Sequence, residues 1–266
     1  HAGDESPYTI DLTEDSLAMD FSSRMQRAKE QGFDTDNPIY SGTYGKKAKE
    51  ILPYGKTSGD QPVNVFGGIF GSHSENTASS HGPTMQKFLT KNHINSDDIR
   101  MEAFYDDDGY EKASSAIMDV LKERSPDGIV TDEEVGEVMD FAFDGRNMYD
   151  LYTHVEYGDA DDFFESMTAD RADELFGRWI SSGNAENIGE VSHDLQGLKG
   201  VAARAMGYDS VGMVDEHGES VLILNGRYAD DAAFDPAKKD SSNLLASLGA
   251  GTLAGAGLLA SDDSEA

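Results

Sequence analysis

Hydrophobic positions along this chain change period several times. Leu17, Phe21, Met25 and Ala28 fall on one helical face, which predicts a helix over 16–31 that Gly32 stops. Pro38 then opens a short strand at Ile39-Tyr40 that ends at Ser41-Gly42-Thr43. Residues 44–62 have no period and read as a long loop. Val63–Phe70 is an apolar strand interrupted by Gly67-Gly68, a pattern that marks a bulge or the close approach of another backbone. Ser72–Ser80 reads as a short helix capped by Ser74, and 85–105 fits strand and helix equally well.

From Gly109 the pattern is helical. Tyr110–Arg124 places Ala113, Ile117, Val120 and Leu121 on one face. Thr131 with Glu134 is a capping box for a helix carrying Val135, Val138, Met139 and Ala142. Met148–Tyr157, Asp161–Met167 and Ala169–Ile180 continue the helical text, the last with Leu175, Phe176 and Trp179 as core. The stretch 187–236 organises the rest. Asn187 and Glu190 start a helix through Val191, Leu195, Leu198, Ala202 and Ala205, and Gly207 ends it. Ser210–Val214, the turn Asp215–Gly218 and Glu219–Leu224 form a β-hairpin. The fold class expected is α+β, a small split sheet whose halves flank a helical insertion at about 96–185.

Composition narrows the chemistry. The chain has 266 residues, no cysteine, and 51 acidic against 21 basic residues, a net charge of −30. Thiolate chemistry and disulfides are excluded. Direct nucleic-acid binding is not expected, because phosphate contact needs lysine and arginine. Gly55-Lys56-Thr57 lacks the first glycine of a phosphate loop, since Glu50 stands there. Asp106-Asp107-Asp108-Gly109 lacks the alternating ligands of a calcium loop and reads as a helix N-terminus, and no metal site is expected. Residues 1–15 read as a flexible acidic arm with neither the basic nor the apolar segment of a signal peptide. The first residue is not methionine, as in a processed product or a piece of a longer chain. In the Leu/Ala/Gly-rich tail 241–266, the run 244–260 reads either as a loose tail or as a membrane-active helix using Gly251 and Gly255.

Three islands carry a resemblance. Arg24–Thr43, Gly67–Gly82, and the ending from Ala205 through Ser247 resemble, in that order, the ADP-ribosyltransferase-like domains found in large phage and prophage proteins, including those fused to Mu-type head-morphogenesis proteins. The resemblance spans about 19 to 247, contributes nothing between about 90 and 185, and implies one domain over 16–240. It implies NAD as substrate. Tyr40-Ser41-Gly42-Thr43 stands where the family writes Tyr-His-Gly-Thr, with Ser41 in place of the histidine that orients the cofactor ribose. By the same resemblance Phe70 and Ser72 complete the cofactor-binding set. Glu219 is the candidate carboxylate; a one-residue shift puts Ser220 there instead, and Glu216, across the turn, is the alternative.

A carboxylate suits this chemistry because breaking the nicotinamide–ribose bond builds an oxocarbenium-like transition state that a nearby anion stabilises. The resemblance implies a phage-carried transferase delivered from the virion to the host cytoplasm, with a host protein as target. The alternative is a non-catalytic internal or ejected virion protein, whose partners are other virion proteins. A third reading, from charge alone, is an acidic mimic that inhibits a basic host protein. Transient membrane contact through 244–260 is a further expectation.

Overall fold

The computed structural model describes residues 20–45, 51, 67–125, 128–144, 151, 169–215, 218–229 and 234. The acidic arm, most of the 44–62 loop, the helical pieces expected at 148–157 and 161–167, and the 241–266 tail lie outside them. The chain divides into two compact units, 1–32 with 229–266, and 33–228.

In the first unit, helix α1 (Phe21–Glu30) starts later than periodicity predicts. Asp20 has extended backbone and its carboxylate accepts the Ser23 N–H at 3.0 Å, so it caps the helix rather than joining it. Gly32 takes a φ of 85° at the far end. The Arg27 Nε–H donates to the Phe234 carbonyl at 2.5 Å.

Among the described residues, the second unit holds two sheets. One has strands β1 (Ile39–Thr43), β3 (Thr84–Leu89) and β7 (Arg227–Tyr228) in the order β1-β3-β7. The other has β2 (Ile69–Gly71), β6 (Gly218–Ile223), β5 (Ser210–Asp215) and β4 (His93–Ile94) in the order β2-β6-β5-β4. This is an α+β fold. The ambiguous stretch 85–105 contains both element types: β3, β4, and then helix α3 (Ser96–Tyr105). Distant contacts decide it. The Asp209 carboxylate accepts the Lys91 and Asn92 N–H groups at 3.2 and 3.4 Å and fixes the turn between the strands. Directly after Asn225-Gly226, β7 crosses to the other sheet and pairs with β3, a strand that no sequence pattern predicts.

Among the described residues the unit's helices include α2 (Glu75–Ser80), α3, α4 (Asp107–Arg124), α5 (Val135–Phe143), α6 (Ala169–Ser181) and α7 (Ile188–Ala205). α2 is capped by Ser74, as its sequence predicts. Asp106 caps α4 by accepting the Gly109 N–H at 3.1 Å, so the aspartate run is a helix start. α7 is buried almost all round, from Val191 through Ala203 with the exception of His193. It packs against α4, α5, α6 and β5 and so forms the axis of the main core. A helix so enclosed must satisfy its polar groups internally. Asp194 accepts from Trp179 Nε1 at 3.0 Å and pairs with Arg124 at 2.9 Å, while Lys199 Nζ donates to Ser96 Oγ at 2.7 Å.

At the start of α5 the capping box half forms. Glu134 accepts the Thr131 N–H at 2.9 Å, but the helix begins only at Val135. The same carboxylate also takes Arg178 at 2.6 Å and Arg171 at 2.7 Å, so it serves as an anchor between helices as well as a cap. These arginines, Arg178 first and then Arg171, hold the Glu134 carboxyl far below the usual carboxylate range.

Candidate active site at the seam of two sheets

Strand β2 changes partner partway along its length. Ile69, Phe70 and Gly71 pair antiparallel with Ile223, Leu222 and Val221 of β6. The next residue, Ser72, pairs instead with Tyr40 of β1 in an isolated antiparallel bridge. Tyr40 and Val221 therefore stand in different sheets. Ser72 stitches the two sheets together.

Glycines make the stitch sterically accessible. A Cβ on Gly71 would lie 2.6 Å from the Tyr40 carbonyl oxygen and 2.7 Å from Ile39 Cγ2. A Cβ on Gly42 would fall 2.0 Å from the Ala78 carbonyl, because α2 rests directly on β1 there. The Gly67-Gly68 pair does what its pattern suggests. At Gly68 a Cβ would meet the Ile223 carbonyl at 2.5 Å, and Arg204 clamps the approach by donating to the Gly67 and Leu224 carbonyls at 2.9 and 2.7 Å.

Strand alternation sorts the side chains at the seam. Val221 and Ile223 of β6 form a small apolar cluster with Ile39 and Phe88 of the other sheet, while Leu222 joins the helical core. Glu219 shares the parity of Val221 and so projects on the intersheet side, where it is exposed. Ser41 shares the parity of Ile39 and faces the same space from β1, but it is buried. It stands opposite Gln86, whose amide donates to the Tyr228 hydroxyl at 3.3 Å. Ser72 is buried at the stitch, and its hydroxyl accepts the Ser74 N–H at 3.1 Å. Glu219, Ser41 and Ser72 thus gather around one seam.

The side chains of Tyr40 and Phe70 do not share that space. Tyr40 has the opposite parity to Ser41 and carries the Lys87 ammonium 5.5 Å from its ring centroid. Phe70, one step from Gly71, packs against the helical core. Thr43 Oγ1 accepts the Gly45 N–H at 3.0 Å, and Gly42 supplies backbone only. Neither Tyr40 nor Phe70 faces the side on which Glu219 projects. Glu216 lies outside the described residues.

The seam also holds groups that the sequence did not single out. His93 of β4 falls in the cross-strand row of Ser210 and Ile223, so it lines the same face as Glu219 further along. Its Nδ1 lies 3.0 Å from Ser210 Oγ, and its ring meets His73 edge-on at 5.7 Å. His73 Nδ1 lies 3.2 Å from the Pro38 carbonyl, so that nitrogen carries the proton. Burial, and then the neighbouring His73, push the His93 imidazole below its ordinary value. Asp34, nearby, is held low by hydrogen bonds from Asn37 and Asp36 that outweigh its burial. No spacing motif joins these residues. The Asp34 N–H bond to the Thr90 carbonyl, the Tyr40–Ser72 bridge and the parallel pairing of His93 with Ser210 bring 34, 73 and 93 together.

Comparison with known proteins agrees with the fold. Residues 131–231 match the profile of a family described as anti-CRISPR type I-F ADP-ribosyltransferase AcrIF11. The resemblance read from the sequence, a phage-derived ADP-ribosyltransferase-like domain, is therefore found independently. The match runs through α5, α6 and α7 into the hairpin and β7. It includes part of the helical block to which the sequence resemblance contributed nothing. One solved structure, a crystal structure of an anti-CRISPR protein, is 21% identical, with 71% of this chain and 90% of that chain covered and a TM-score of 0.36. No curated protein matches the chain.

Proposed function

We propose that this chain is an NAD-dependent protein ADP-ribosyltransferase of phage origin that modifies a component of host defence, with Glu219 as its catalytic carboxylate. The observation that carries the reading is the family match over 131–231, which ends just beyond the hairpin that bears Glu219. The seam supplies the rest of the support: an exposed carboxylate and a strand-end hydroxyl face one intersheet space beside a glycine-lined stitch. In the reaction the C1′–nicotinamide bond breaks, nicotinamide leaves with the bonding electrons, and an acceptor nucleophile on the target forms the new bond to C1′ and loses its proton. Glu219 stabilises the developing positive charge on the ribose and accepts a hydrogen bond from the 2′-hydroxyl. Ser41 offers a short hydroxyl where imidazole would reach further, so ribose positioning falls more heavily on backbone and on Glu219. Delivery from the virion into the host cytoplasm belongs to the same proposal.

The test uses the full chain, labelled NAD and a bacterial lysate. The expected result is a labelled protein band that Glu219→Gln removes while the variant melts at the same temperature. An intact chain that transfers no label and whose melting temperature NAD does not raise would overturn the proposal.

A second reading is favoured by one observation. Ile39, Phe88, Val221 and Ile223 pack closely between the sheets, and Ser41 is buried beside them. That suits a fold retained without catalysis, as an internal virion protein. It predicts a fixed copy number in purified particles by quantitative mass spectrometry, and absence from particles removes it.

A further inference from the structure

The chain holds one Asn-Gly pair, Asn225-Gly226, and the fold sets it where the closing hairpin leaves one sheet for the other. Asn225 is exposed. Its Nδ2 donates to the Asp209 carboxylate at 2.8 Å, and its backbone N–H to the Asp209 carbonyl at 3.0 Å. The Gly226 N–H meets no acceptor among the described residues. A Cβ on Gly226 would lie 2.9 Å from Ile223 Cγ2, so the crossing selects the one residue type that leaves its own amide nitrogen unshielded.

The structure assigns Asn225 as a site of spontaneous deamidation, with water as the co-reactant. The Gly226 nitrogen attacks the Asn225 side-chain carbonyl carbon and gives up its proton. The Cγ–Nδ2 bond breaks, and ammonia leaves with the bonding electrons and a proton. Water then opens the resulting succinimide at either carbonyl and leaves an aspartyl or an isoaspartyl residue. Attack requires the amide to turn away from Asp209. The crossing opens for it readily, because β7 pairs through two residues, Arg227 and Tyr228.

The product changes the junction. A carboxylate at position 225 stands within hydrogen-bond distance of the Asp209 carboxylate, where like charges disfavour the ionisation of both. Asp209 also accepts the Lys91 and Asn92 N–H groups, so the repulsion bears on the turn between β3 and β4. An isoaspartyl residue adds a methylene to the main chain and displaces Arg227 and Tyr228 against Leu89 and Phe88. Deamidation thus loosens β7 and limits the lifetime of the intact fold. This goes beyond the transfer chemistry and does not depend on it.

The test ages the full chain at mildly alkaline pH and body temperature. Peptide mass spectrometry with isoaspartate detection follows the chemistry, and urea unfolding follows the fold. Conversion of amide to acid is expected at Asn225, as a mixture of aspartyl and isoaspartyl products and faster as pH rises. It runs ahead of Asn95, which is also exposed but precedes Ser96. The aged chain unfolds at lower urea, and Asn225→Asp does so without ageing. Asn225→Ser, whose hydroxyl can still donate to Asp209, keeps its urea midpoint through ageing. If Asn225→Asp fails to fold, the aged wild-type chain gives the reading, since its conversion follows folding. A chain in which Asn225 keeps its amide overturns the proposal, as does one in which Asn95 converts first. Conversion that leaves the urea midpoint unchanged also overturns it, because the junction then tolerates the second carboxylate. An equal loss of stability in aged Asn225→Ser places the damage elsewhere and overturns it too.

Discussion

Tyr40 and Ser72 exchange both of their backbone hydrogen bonds, N–H to carbonyl in each direction at 2.8 Å, and this isolated pair joins the two sheets. The close approach tolerates no side chain on the residue before Ser72. Gly71→Ala therefore forces a Cβ against the Tyr40 carbonyl and Ile39 Cγ2, at a cost of about 1–3 kcal/mol. Gly177→Ala is the control. Gly177 lies inside α6 with nothing within 4 Å of a built Cβ, so the change stabilises by about 0.5–1 kcal/mol through helix propensity. Urea unfolding of the two variants reads both signs. Equal effects at the two positions contradict the stitch.

The buried Asp194 carboxylate is shared by the chain's one tryptophan and by Arg124. Asp194→Asn leaves the arginine without its buried counter-charge, and the expected loss is about 2–4 kcal/mol. The change also alters the polar partner of the Trp179 indole, so the intrinsic fluorescence maximum shifts. A variant with wild-type stability and an unchanged emission maximum shows that the pair does not form.

Lys199 is enclosed in the core, and burial lowers its ammonium to about 8, against 10.5 for an ordinary lysine. The unfolded chain therefore binds more protons between those values, and the Lys199 contribution to stability rises with pH across that window. Below it the charged amine is a constant burden. Lys199→Met removes that burden and stabilises the protein at neutral pH by about 1–3 kcal/mol. The gain shrinks as pH approaches 10.5. Urea midpoints of both proteins on either side of the window test this, and a difference that does not change with pH refutes it.

Glu134 behaves in the opposite sense. Its folded carboxyl is depressed below the ordinary 4.5 by Arg178, despite some burial, with Arg171 and the Thr131 N–H adding to the effect. Stability from this group is present above 4.5 and is lost as pH falls toward the depressed value. Glu134→Gln destabilises the protein at neutral pH and makes its acid unfolding less steep, which circular dichroism along an acid titration measures. An unaltered acid limb refutes the assignment.

Local chemistry made several elements legible. Asn187, Ser74 and Asp106 each start a helix because a short acceptor side chain satisfies backbone N–H groups within the same turn. Gly207 ends α7 because its backbone there adopts a φ of 92°. Hairpin β5–β6 and the α+β class follow from alternation and period. Such signals act over a few residues, so a sequence displays them directly. The order of the three islands carried the resemblance for the same reason.

Tertiary contact decided the rest. Whether 85–105 was strand or helix depended on Asp209, more than a hundred residues away, capping the Lys91–Asn92 turn. Strand β7 is two residues long and has no pattern of its own. It exists because Phe88 and Leu89 offer it an unpaired edge. The candidate carboxylate and hydroxyl could be named from the sequence, but alternation about Val221 and Ile39 settled which neighbours shared their side, and it turned Tyr40 and Phe70 away. The meeting of His73 with His93 likewise depends on strand pairing. Sequence fixes what a residue can do within a turn or two, because capping and period are short-range. Which distant residues meet depends on register and sheet partner, set jointly by all the strands.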